Sequence, residues 1–111
     1  TKHIDAFFAN PDNTVFAAFE TILKNCNDKE VPVFTSESGL VARGAVAAFG
    51  ADIYQWGHQS GAQAAHYLKS GSTDGLQVEM LNVRKRVYNP RTAKQFGFSF
   101  PETYERVASN E

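Results

Sequence analysis

Two short turns concentrate the side chains of this sequence that could hold a small charged molecule. One is Asn10-Pro11-Asp12-Asn13-Thr14 and the other is Ser36-Glu37-Ser38-Gly39. Polar residues at the start of a helix lie beside unpaired backbone N–H groups and the positive end of the helix dipole, which together hold a carboxylate or phosphate oxygen. Glu37 brings the opposite chemistry, an anionic partner for a ligand ammonium. Each turn also has a plainer reading: Asn and Asp are preferred N-caps with or without a ligand, and a loop glutamate is ordinarily solvated. Asp12, Asn13, Thr14, Ser36, Glu37 and Ser38 are the candidate ligand-binding residues, weighed against capping and solvation.

Other chemistries lack a motif. Of His3, His58 and His66, no two stand at the i, i+4 spacing of a helical metal pair, and one cysteine cannot build a thiolate site, so no metal and no cofactor is expected. Ser36 and Ser38 lack the G-x-S-x-G elbow, and neither G-x-G-x-x-G nor G-x-x-x-x-G-K-[ST] occurs. These observations favour a binding module over an enzyme.

The chain that must position the two turns has 111 residues, 42% of them hydrophobic and nine of them Phe, enough for one packed domain. Eleven basic and twelve acidic residues give a formal charge of −1, which offers no footprint for nucleic acid or an anionic membrane. It opens Thr-Lys-His without an initiator Met or a signal-type apolar segment, and no apolar run nears the roughly 20 residues of a membrane span. A mature chain or a piece of a longer one is expected. Cys26 falls on the apolar side of a helical pattern and reads as a buried, inert thiol.

Ile4 to Ala9 reads as a short buried strand, and Val15, Phe16, Phe19, Ile22, Leu23 and Cys26 mark one face of a helix. Val31 to Thr35 and Ala45 to Phe49 read as further strands. Asp52 caps a helix through about Lys69 with Gly71 just beyond it, and Gly57, Gly61, Ala64, Ala65 and Leu68 form a small-residue face suited to close packing on a sheet. Leu76 to Asn82 and Arg84 to Tyr88 look extended, 90–97 is a short helix with Pro at its start, and 102–111 is polar and frayed. Strands alternating with helices predict an α/β domain with a mainly parallel sheet and flanking helices. In such sheets ligands bind beyond the carboxyl ends of the strands, the edge from which both polar turns emerge.

The runs IDAFFANPDNTVFAAFETIL, VPVFTSESGLVARGAVAAFGADIYQWGHQSGAQAAHYLKSG and VYNPRTAKQFGFSFPE carry a D-N-T turn and a G-x-Q-[ST]-G helix. Nearly the whole chain resembles the C-terminal portion of ABC transporter substrate-binding proteins of the tryptophan/tyrosine-binding type. The resemblance implies a partial lobe of a two-lobe, Rossmann-like periplasmic-binding-protein type I fold, closing over a small ligand, an amino acid, that is passed to an ABC permease. It implies a periplasmic or extracytoplasmic, membrane-anchored parent protein. Within 1–111, residues 4–49 would belong to the second lobe, the 53–69 helix would return to the first, strands 76–88 would cross back, and 90–97 would be the C-terminal helix. Asn13 and Thr14 would then donate to a ligand carboxylate, with Ser36 and Ser38 flanking Glu37, which stands where the family more often has Asp. Trp56 reads as hinge or interlobe packing, with ligand stacking as the other possibility. A piece lacking its partner lobe is expected to self-associate or exchange the 53–69 helix between copies. The competing reading is an effector-sensing domain of a lac-repressor-like regulator, and an enzyme would need a catalytic cluster around Glu37 and His58.

Overall fold

The computed structural model describes residues 3–108. Five strands, β1 (Phe7–Ala9), β2 (Val33–Thr35), β3 (Ala47–Ala51), β4 (Arg84–Tyr88) and β5 (Glu105–Arg106), form one sheet in the order β1-β2-β3-β4-β5. The β1/β2, β2/β3 and β4/β5 pairs are parallel and β3/β4 is antiparallel, the mainly parallel sheet expected from the sequence.

Helices α1 (Asn13–Ala17) and α2 (Phe19–Asp28) connect β1 to β2, and α3 (Gly39–Arg43) connects β2 to β3. Parallel crossovers are right-handed, and both step across the sheet in the same direction, so their helices fall on the same face. The core follows: Phe19, Cys26, Leu40 and Val41 from the helices close over Ala9, Val33, Ala48 and Val87 of the sheet. On the other face α5 (Pro90–Phe96) and the segment after it pack over Phe34, Ala47 and Tyr88. There Phe100 stacks on Tyr88 with ring centroids 4.9 Å apart and meets Tyr104 at 5.0 Å.

Several boundaries differ from the sequence reading. β1 begins at Phe7 because Ile4 to Ala6 are exposed and lie outside the β1/β2 register. The helix expected from Val15 starts at Asn13 and is broken at Ala18, whose φ of −106° and ψ of 13° separate α1 from α2. α3 starts at Gly39, the last residue of the second polar turn, and takes in 40–43, where the sequence shows no element; Gly44 ends it at φ 132° against the Leu23 side chain. β3 is shifted two residues toward the C-terminus, and Gly50 lies within it. Residues 105–106, expected to fray, pair with β4; 109–111 lie outside the described residues.

The larger correction concerns α4 (Ile53–Ser70). Its ends are as expected, with the Asp52 carboxylate accepting from the Gln55 N–H at 3.1 Å and Gly71 in the left-handed region. Its small-residue face, however, packs on no sheet: no α4 residue is buried, Tyr54 and Leu68 are 78% and 80% exposed, and open space surrounds Gly57 and Gly61. Periodicity shows which face of a helix is apolar without showing where its partner is. The chain then returns through 76–82, which pairs in no strand; only Arg84–Tyr88 of the two segments expected to be extended joins the sheet.

Candidate functional site

Ala9 pairs with Thr35, and Thr35 with Ala48, so the carboxyl ends of three parallel strands share one edge. Neighbouring strands lie about 4.8 Å apart. The two polar turns therefore leave the sheet side by side. The buried Thr35 hydroxyl fixes that relation: it donates to the Ala9 carbonyl at 2.9 Å and accepts from the Glu37 N–H at 3.2 Å. From the third strand, Gly50 backs onto the second turn so closely that a Cβ would collide with the Ser36 carbonyl oxygen. Only glycine lets β3 approach there.

In the first turn Asp12 has extended backbone, and its Oδ1 accepts from the Val15 N–H at 2.8 Å. It is the N-cap of α1. Asn13 and Thr14, the first two residues of that helix, are exposed. In the second turn Ser36, Glu37 and Ser38 are half-buried. Ser38 occupies the N-cap position of α3 in helical conformation and makes no side-chain cap bond; Glu37 serves in its place, with Oε1 accepting from the Gly39 N–H at 3.0 Å. The edge thus presents two outward polar side chains from one helix start beside a carboxylate from the other.

Glu37 also lines a cavity of about 240 Å³ with Phe16, Gly39, Leu40 and Arg43. The Arg43 charge is answered elsewhere. Its Nε donates to Glu20 at 2.9 Å, its Nη2 lies 2.7 Å from both Glu20 oxygens, and its guanidinium stands 5.1 Å from the Phe19 ring centroid. The hydrogen bond from Arg43 holds the Glu20 carboxyl below its ordinary pKa of 4.5.

Sequence reasoning found both turns and missed Thr35, Gly50 and the Arg43–Glu20 pair. A threonine ending a strand before a polar turn, and a glycine just before the Asp52 cap, were available signals; an ion pair 23 residues apart has none. His58 is exposed on α4, on a separate element from Glu37. Among the described residues no three of His, Cys, Asp and Glu gather as metal ligands. Cys26 is buried as expected, and burial raises its thiol above the usual pKa.

A mainly parallel sheet with flanking helices and polar turns on its carboxyl edge is a Rossmann-like α/β architecture. The chain belongs to the ABC transporter substrate binding protein family, whose profile matches residues 1–110. A tyrosine-binding protein of Clostridioides difficile (strain R20291) is 29% identical over 91 residues, 82% of this chain and 26% of the relative. Among solved structures, a ligand-free, open substrate-binding protein with adhesive properties from Clostridium difficile superposes with a TM-score of 0.77 at 26% identity, covering 96% of this chain and 37% of that one. A conserved domain protein from Vibrio cholerae gives 0.73 at 35% identity, covering 88% and 33%. An ABC domain in complex with L-Trp from Streptococcus pneumonia gives 0.73 at 25% identity, covering 90% and 35%. The chain thus spans about a quarter to a little over a third of the length of these relatives.

Proposed function

We propose that this chain forms part of the solute-binding component of an ABC importer and grips one side of a small zwitterion, an amino acid of the aromatic class, for delivery to a membrane permease. Family membership, the tyrosine-binding relative and the neighbour holding L-Trp support the reading. The observation that carries it to residues is the Ala9 to Thr35 register, which sets both polar turns on one edge. Asn13 and Thr14 donate to the ligand carboxylate, Glu37 receives the ammonium, Asp12 holds the helix start, and Ser36 and Ser38 flank Glu37. A second lobe of a longer, extracytoplasmic protein completes the cleft, and closure of the lobes is the signal to the permease. No reaction on the ligand is required. In isolation the chain self-associates through the bare face of α4.

The test is a thermal-shift screen of the full-length protein against the twenty amino acids, sugars and nucleosides. A ligand at 100 times its Kd stabilises the folded state by about 2.7 kcal/mol. A selective rise with aromatic amino acids is expected. Asn13→Ala should weaken binding by about 10- to 100-fold, the loss of one hydrogen bond to a charged group, without lowering the Tm of the ligand-free protein. No response to any amino acid would overturn the ligand class and the roles of both turns.

A further inference from the structure

The G-x-Q-[ST]-G segment on α4 plays no part in the ligand edge, yet its glutamine is among the most engaged side chains of the helix. Gln59, Gln63 and His66 recur at helical spacing on the side opposite Gly57 and Gly61, and they face the returning segment 74–82. Gln59 Nε2 donates to the Met80 carbonyl at 3.1 Å, and its Oε1 accepts from the Asn82 N–H at 3.3 Å. A carboxamide bonded to a carbonyl and an N–H two residues apart makes the same pair of bonds that one residue of a neighbouring parallel strand would make. Gln63 Nε2 holds the Gln77 carbonyl at 2.9 Å. The Glu79 carboxylate bridges the two amides, at 2.9 Å from Gln59 and 2.7 Å from Gln63.

The residue after Asn82 is where the chain re-enters the body. The Val83 carbonyl accepts from the Asp52 N–H at 3.3 Å, and Ala51 and Arg84 open the β3/β4 register. The two passages between body and α4 therefore meet one residue beyond the bond made by Gln59. We propose that Gln59 is a positioning residue: it stands in for a missing strand neighbour, fixes 80–82 to α4, and thereby makes the helix and both passages a single body that moves as a unit. Its use in ligand capture rests on the two-lobe reading above, in which those passages cross between the lobes.

The experiment is residue-resolved amide hydrogen exchange on this chain, without ligand, for wild type and Gln59→Met, which keeps length and helix propensity and removes the bonds to Met80 and Asn82 together with the one to Glu79. Loss of one net hydrogen bond should speed exchange at Asn82 by about threefold to tenfold. The Asp52 amide should accelerate by a similar factor, while the Val46 and Asn89 amides, bonded inside the body, stay unchanged. Acceleration at Asn82 alone would overturn the proposal, because the passages would then be fixed without Gln59. No acceleration at either site overturns it as well. So does a rise that includes Val46 and Asn89, since Gln59 would then serve stability at large. A failed ligand screen leaves all of these readings unaffected, so the two proposals fail separately.

Discussion

Asn89 shows how much one side chain does in this fold. It is fully buried; its Nδ2 donates to the Val41 carbonyl at 3.0 Å, its Oδ1 accepts from the Arg91 and Thr92 N–H groups at 3.0 and 3.3 Å, and its own N–H reaches the Val46 carbonyl at 2.9 Å. One residue caps α5 and satisfies a carbonyl of α3 across the sheet. Asn89→Ala would remove the cap from the Arg91 and Thr92 N–H groups and one of the two hydrogen bonds to the Val41 carbonyl, which keeps its bond from the Gly44 N–H, and should cost about 1–3 kcal/mol. Chemical denaturation at unchanged m-value is the measurement; a loss under about 0.5 kcal/mol would mean that water replaces the amide. The start of α5 was legible, since Pro90 opens a short helix, but the bond to Val41 was not, because its partners lie 48 residues apart. The same limit applies at the candidate site. The caps at Asp12 and Asp52 follow from local rules, whereas the tie from Thr35 to Ala9 and the contact of Gly50 with Ser36 appear only when the strands are side by side.

Among the elements, legibility follows the strength of local signals. α4 was read to within a residue because Asp52 and Gly71 mark its ends. α3 escaped because five residues are too few to show periodicity and its cap comes from Glu37 rather than from the N-cap residue Ser38. β3 was displaced because Ala45 to Ala48 are all buried, and an apolar run looks alike in the strand and in the approach to it. These differences carry energetic weight. α4 has no buried residue, so its helicity depends on propensity, its caps and the bonds of Gln59 and Gln63 rather than on core packing. Asp52→Ala removes a cap worth about 1 kcal/mol. It should reduce the helical circular dichroism signal at temperatures far below the melting transition. A change confined to the transition itself would show instead that α4 unfolds only with the body.

Taken as a whole, the molecule is extended, 56 × 32 × 25 Å. The apolar face of α4 with Tyr54 and Leu68 is joined in exposure by Phe8 and Phe49 on the sheet. On the proposed self-association, light scattering should report a mass above 12.3 kDa that rises with concentration, and Tyr54→Lys with Leu68→Lys should return it to the monomer. A monomer at every concentration would refute that reading. The strand order has a different consequence, for how such a chain acquires its structure. Spatial order equals chain order, β1-β2-β3-β4-β5. A polypeptide emerging from its amino end therefore adds each new strand at an open edge and never has to separate strands already joined. The sheet can be laid down in the direction of synthesis, with each completed pair serving as the template for the next.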